Sequence, residues 1–227
     1  MFRGLRRDQP PAASTETLAP DPAHEIDDEA RLDERLLQNA QRGDLPSFNA
    51  VVARHERAVY GLCLRMLRDA AAAEDAAQDT FIRAWTAIDS FRGGLVRPWL
   101  MRIATNRCYD VLRAKGRRPA DSLDAELFEV EPAWTSQTAG EHPESFTTRV
   151  ELSALLERAL ATLPEDQRLA VLLSDVHGHA YDEVAEITGV AIGTVKSRIS
   201  RGRARLRDVL LEDEAAREHL GRFQRRD

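Results

Sequence analysis

The chain has 227 residues, a formal net charge of −6 and 6% aromatic residues. That length suits one or two domains, and so few aromatics point to modest cores of helical type. The negative balance excludes a generic polyanion-coating protein, so any grip on nucleic acid must come from local segregation of charge. Residues 1–25, with Pro10, Pro11, Pro20 and Pro22 among small polar residues, predict a disordered tail. An amphipathic helix is predicted from Ile26 to about Gln41, with Leu32, Leu36 and Leu37 inward and a stop near Gly43. Asp44 is placed to cap the next helix and Pro46 fits its first turn. That helix carries Phe48, Val51, Val52, Val59, Leu62, Cys63, Met66 and Leu67. From Asp69 a third helix runs through about Ile88, with Ala73, Ala77, Phe81, Ala84, Trp85 and Ile88 on its apolar side. A loop from Ser90 to Gly94 leads to a fourth helix that starts near Pro98, buries Trp99, Leu100, Ile103, Ala104, Cys108, Val111 and Leu112, and stops at Gly116.

The composition then changes. Between Arg97 and Arg118 there are seven basic residues against one acid, Asp110; between Ala120 and Thr148 there are seven acids and no Lys or Arg. Residues 119–145, with Pro, Ser, Thr and acids but no sustained period, predict a flexible acidic linker. Helical spacing returns through Val150, Leu152, Leu155, Leu156, Ala159 and Leu160. Pro164 starts a further helix with Glu165 and Asp166 in its first turn, where the helix dipole favours acids. It buries Leu169, Val171, Leu172, Leu173 and Val176 and ends at Gly178. No alternation of strand type appears over a useful length. The chain is therefore read as all-α: a helical bundle over 26–118, the linker over 119–145, a second helical domain over 146–212 and a tail over 213–227.

The second domain ends in the most telling stretch. Asp182–Val190 is a short amphipathic helix with a glycine, Gly189, at its end, and a basic amphipathic helix follows. Ile192, Val195, Ile199, Leu206 and Leu210 form its apolar stripe, and Lys196, Arg198, Arg201, Arg203, Arg205 and Arg207 cover other faces with no acid among them. Helix, glycine turn and cationic helix in this order make a helix-turn-helix, whose second helix can enter a major groove. Ala191 is a weak cap for that helix, which leaves its start defined to a residue or two. On the third helix Asp75, Gln78 and Asp79 share one polar face, opposite Phe81 and Trp85.

Cys63 and Cys108 lie in apolar-periodic segments and are expected to be buried core thiols. His177 and His179 flank a glycine at a helix end with no Cys nearby, which is not the spacing of a metal site. No metal, cofactor or enzymatic activity is expected, since no phosphate-cradling glycine loop and no nucleophile–base set is present. No apolar run approaches the ~18–20 residues of a membrane span. Arg3, Arg6 and Arg7 precede no apolar core of the kind a secretory leader has, so a cytoplasmic protein is expected.

Several stretches together resemble the extracytoplasmic-function class of bacterial RNA polymerase sigma factors. They are Ala73–Trp85, Phe91-Arg92-Gly93, Trp99–Arg107 and Gly193–Arg198, within roughly 32–118 and 150–211. The resemblance implies a dissociable subunit that directs core polymerase to promoters, recognises their −10 and −35 elements and starts melting. It implies that Asp75, Gln78 and Asp79 dock on the clamp of the β′ subunit, with the β flap as a second contact. The fourth helix and the loop before it would open the −10 element and hold the melted non-template strand. Arg83, Phe91 and Asn106 match positions that serve a flipped-base pocket, with Arg102, Arg107 and Arg113 as further −10 contacts. The segment from Phe91 to Trp99 is about one residue shorter than in familiar members. Lys196, Ser197, Ser200 and Arg201 would reach base edges of double-stranded DNA at −35, while Arg198, Arg203 and Arg205 would hold phosphates. An anti-sigma factor is implied as a partner. A response-regulator-like transcription factor shares the terminal motif, but it needs an amino-terminal receiver with alternating strands and helices. A nucleic-acid enzyme would need a carboxylate cluster or a metal motif.

Overall fold

In the computed structural model the described residues are 22–116 and 143–212, with side chains from 28 to 116 and from 152 to 212. The N-terminal unit is built from α1 (Pro22–Gln41), α2 (Leu45–Leu67), α3 (Ala70–Thr86) and α4 (Val96–Gly116). A 3₁₀ turn, Ile88–Ser90, sits between α3 and α4. The C-terminal unit holds α5 (Pro143–Ala161), α6 (Glu165–Val171), α7 (Tyr181–Thr188) and α8 (Ile192–Glu212), with a π-helical turn at Leu172–Val176. Every element among the described residues is helical.

Local chemistry sets most boundaries. Asp69 caps α3, its carboxylate accepting from the Ala72 N–H at 3.0 Å, and four alanines then extend the helix at little entropic cost. The same carboxylate takes Lys115 at 2.9 Å from the end of α4, and the two partners hold it below the ordinary range. Asp44 departs from its expected role: its carboxylate takes the Ser47 hydroxyl and makes no bond to a helix N–H. α2 turns into α3 in two residues because Arg68 adopts a left-handed backbone at φ 55°.

The N-terminal core forms where α2 and α4 cross under α1 and α3, with Leu37, Val51, Leu62, Met66, Leu100 and Met101 almost fully buried. Cys63 and Cys108 are both free and buried there; the neighbouring Cys63 thiol and burial together push the Cys108 thiol up, so neither is poised to react. Between α1 and α2, the buried Asp33 carboxylate receives Arg54 and His55. Burial alone would raise its pKa, but His55 and Arg54 bring it below the usual range. Trp85 differs from the expected inward position. One face of its ring packs on Phe48 with centroids 4.9 Å apart, and the residue stays 36% exposed.

In the C-terminal unit α8 is the central helix, packed on α6, α7 and α5. Val195 and Ile199 fill the expected stripe, while Ile192 is 46% exposed, because the first turn of α8 lies at the edge of the unit's core. The seven-residue gap between Ile199 and Leu206 is filled by Gly202, which is buried in α8. A Cβ built there would lie 2.7 Å from Val171 Cγ2 and 3.4 Å from the Gln167 carbonyl oxygen. At an open helix position, Gly→Ala stabilises by about 0.5–1 kcal/mol. Here Val171 is itself buried and β-branched, so it cannot swing aside. Gly202→Ala is therefore expected to lower stability by ~1–3 kcal/mol in urea denaturation, reversing the usual sign. An unchanged midpoint would refute the close packing of α6 on α8.

The two units pack against each other, a contact the periodicity did not signal. α5 and α6 pack on α2, and α7 packs on α4. Arg168 of α6 donates to the Met66 carbonyl at 3.2 Å, and Arg65 of α2 pairs with Glu157 of α5 at 2.8 Å.

Candidate nucleic-acid interface

The helix-turn-helix is set by one backbone feature. Gly189 closes α7 in the left-handed region at φ 69°, donating to the Ala185 carbonyl, and two residues later α8 begins. A side chain there would pay the steric cost that glycine avoids. At the other end of α7, Glu183 accepts from the Ala180 N–H at 3.2 Å and from His179 Nδ1 at 3.1 Å. His177 and His179 are both buried, and burial, with Arg97 nearby, pushes the His177 pKa down to about 3. The imidazole thus stays uncharged inside the protein at neutral pH.

On α8 the cations fall into two groups. Lys196, Ser200 and Arg201 are exposed in the N-terminal half, and Tyr181, Lys196, Ser200 and Arg203 line an open groove along it. Arg201 is oriented along the helix by Ser197, donating to its carbonyl at 3.2 Å and its hydroxyl at 3.0 Å. Arg198 and Arg203 instead face acids of the same unit. Arg198 pairs with Asp166 at 3.0 Å, and Arg203 takes Asp175 bidentately at 2.9 and 2.6 Å. Burial would raise the Asp175 carboxyl, but Arg203 and Ser174 together hold it below the usual range. Arg205 is exposed. Ion pairs at such accessible positions are weak enough for a phosphate to replace the carboxylate.

α3 and α4 lie side by side and exchange charges. Arg107 pairs with Asp79 at 2.8 Å, and Asp110 receives Arg113 at 2.6 Å and Arg83 at 3.5 Å. Asp79 is thereby turned toward α4, while Asp75 and Gln78 are exposed. Arg102 and Asn106 are exposed on the outer face of α4, with Arg113 one further turn along. Phe91 needs correction as a pocket residue. Its ring is 9% exposed and packs on Trp99 with centroids 5.3 Å apart, so in this state it anchors the loop and offers no face to a base. Gln41, which sequence reasoning passed over, fixes that loop by donating to the carbonyls of Ile88 at 2.9 Å and Phe91 at 3.0 Å. A polar residue in the last turn of a helix gives no signal of such a role.

The family described as Sigma-70 region 2 matches residues 51–118, and Sigma-70, region 4 matches residues 153–206. The RNA polymerase sigma-H factor of Pseudomonas aeruginosa is 39% identical over 176 residues, covering 75% of this chain and 90% of that protein. The chain belongs to the extracytoplasmic-function class of RNA polymerase sigma factors. The ECF RNA polymerase sigma-E factor of Escherichia coli is 38% identical over the same length and coverage. Among solved structures, the sigma factor RpoE of Bartonella quintana in complex with the anti-sigma factor NepR has a TM-score of 0.58 at 29% identity, covering 75% of this chain and 100% of that one. CnrH in complex with the cytosolic domain of CnrY has a TM-score of 0.59 at 26% identity, covering 81% and 99%. As a sigma factor the chain is a transcription initiation factor that recognises promoters for RNA polymerase. The response-regulator alternative falls, since a receiver needs strands and residues 22–116 are helical. No helix among the described residues is long and apolar enough to cross a membrane.

Proposed function

We propose that this sigma factor divides promoter reading between its two units. Lys196, Ser197, Ser200 and Arg201 reach base edges of the −35 element in the major groove, and Arg203, Arg205 and Arg198 bind the flanking phosphates. Arg102 and Asn106 of α4, supported by Arg83, Arg107 and Arg113, take the opened −10 strand, where Asn can both donate to and accept from a base edge. Asp75 and Gln78 dock on the β′ clamp of core polymerase, with Asp79 bracing α4 through Arg107. The observation that carries this reading is the accessibility of Lys196, Ser200 and Arg201 on the helix that follows the Gly189 turn. The work is done by binding, without an enzymatic site, in the cytoplasm. Because RpoE and CnrH are each described with a partner protein, the first of these partners being an anti-sigma factor, restraint by such a factor belongs to the proposal.

The polymerase contact is tested by a pull-down of core enzyme. Asp75→Ala combined with Gln78→Ala, both exposed and outside the core, should weaken retention by about tenfold, equivalent to ~1.4 kcal/mol. Retention at the wild-type level would reject the α3 face as the clamp contact.

A further inference from the structure

Two buried arginines hold the units together. The Arg168 guanidinium is 7% exposed and bonds the carbonyls of Leu160, Ala161 and Leu163 within its own unit. Its remaining arm crosses to the Met66 carbonyl at the end of α2. Beside it the Arg65 side chain, 1% exposed, is neutralised by Glu157 from α5. Buried charge of this kind is tolerated only when it is paired, so each unit completes the other's electrostatics. A few residues away α7 packs on α4, the helix assigned to the −10 element, and apolar packing is continuous from one unit to the other.

This arrangement conflicts with the reach that two promoter elements demand. Packed helices lie 8–10 Å apart, so α8, one helix beyond α7, is roughly 20 Å from α4. Elements named −10 and −35 are about 25 base pairs apart, or roughly 85 Å along B-form DNA. The contact is also poorly finished. Thr105 Oγ1 of α4, and Nε2 of both His177 and His179 just before α7, are buried without hydrogen-bond partners. Buried polar atoms left unpaired oppose burial and regain water when they are uncovered.

We propose that the C-terminal unit docks on its own N-terminal unit as an autoinhibitory latch, in which Arg168 and the Arg65–Glu157 pair keep α8 too near α4 for one molecule to engage both promoter elements. The latch rests on the promoter reading above and adds its regulation. Core polymerase and promoter DNA then bind an open form, and the closed form limits unprompted initiation.

The test uses the full chain carrying spectroscopic labels at Glu56→Cys and Asp208→Cys, both exposed and one in each unit. The native thiols are buried and stay unlabelled. Glu157→Lys sets a like charge against Arg65 and touches none of the residues assigned to DNA or polymerase. The free wild-type chain should give one short inter-label distance. Glu157→Lys should shift it to longer values, and Glu157→Gln should shift it less, with the melting of both units retained. At limiting sigma concentration, promoter-specific transcript from Glu157→Lys should rise several-fold. A long distance in the wild-type chain, or a short one in Glu157→Lys, overturns the latch. An opened variant with unchanged transcript yield overturns its inhibitory role. The distance is read without DNA, so failure of the promoter reading shows separately, as −35 discrimination that survives loss of Lys196 and Arg201.

Discussion

Arg168→Ala is expected to cost on the order of 3–5 kcal/mol of stability, the largest single effect in the chain. The guanidinium satisfies three carbonyls at the corner between α5 and α6 and a fourth at the end of α2. Burial lowers its pKa, with the nearby Arg68 acting in the same sense, yet a guanidinium keeps its charge at neutral pH. Truncation to alanine leaves those carbonyls buried with no donor and opens a gap between α5 and α6. Lysine retains the charge but presents a point donor, not a planar fork, so Arg168→Lys should recover only a minor part of the loss. Thermal denaturation checks this: a domain of 60–100 residues shifts by about 4–8 °C per kcal/mol, so a fall above 10 °C is expected. A shift within ~2 °C would mean that water replaces the guanidinium without penalty.

The second large effect concerns recognition. Lys196→Ala with Arg201→Ala should abolish discrimination at the upstream element. A good contact to a base edge contributes about 1–3 kcal/mol, so the pair should remove roughly 30-fold to 10⁴-fold of preference for the cognate element. Affinity for unrelated DNA should fall far less, because phosphate contacts from Arg203 and Arg205 survive in the double variant. Arg203→Ala should show the opposite pattern: a nearly uniform loss across sequences and a salt dependence shallower by about 0.9 per phosphate contact removed. Competition binding with cognate and scrambled duplexes over a salt series separates the two. Unchanged promoter preference in the double variant would reject the groove assignment.

The sequence already carried the helices that position both DNA faces, because each has a local cause. Asp69 caps α3 as expected, Gly189 ends α7 in the left-handed region, and Val195 and Ile199 supply the buried stripe of α8. What periodicity could not reveal depends on partners distant in sequence. Arg168 looks like one more solvated charge until the carbonyls around it are assembled. Gly202 left a gap in the apolar stripe because a glycine scores as nothing, although close approach of α6 is what requires it. Ile192 has the right phase but stands in the first turn of α8, where phase does not tell how far the core extends. Phe91 suggested a base pocket as an aromatic in a loop; Gln41 and Trp99 hold that loop against the core. Ion pairs were equally hidden. The arginines of α4 and α8 read as a free cationic surface, whereas Asp79, Asp110, Asp166 and Asp175 each hold one or two of them. The two units also read as tethered, and their mutual packing follows from Arg65, Glu157 and Arg168, none of which stands out in the chain.

These paired arginines bear on how the DNA faces work. Each phosphate contact made by Arg198 or Arg203 exchanges one anion for another, at little net electrostatic gain. Affinity then depends on the cations free of acids, Lys196, Arg201 and Arg205 on α8 and Arg102 on α4, which lie where bases are read. That distribution favours selectivity over indiscriminate binding, in keeping with the acidic balance of the whole chain.

The central claim, that this chain selects promoters through two separate elements, is tested most directly by run-off transcription with core polymerase on a genomic fragment library, followed by sequencing of the transcript starts. The account predicts that adding the chain concentrates starts downstream of sites sharing two short motifs about 25 base pairs apart. Starts distributed as with core enzyme alone, or sharing only one motif, would contradict it.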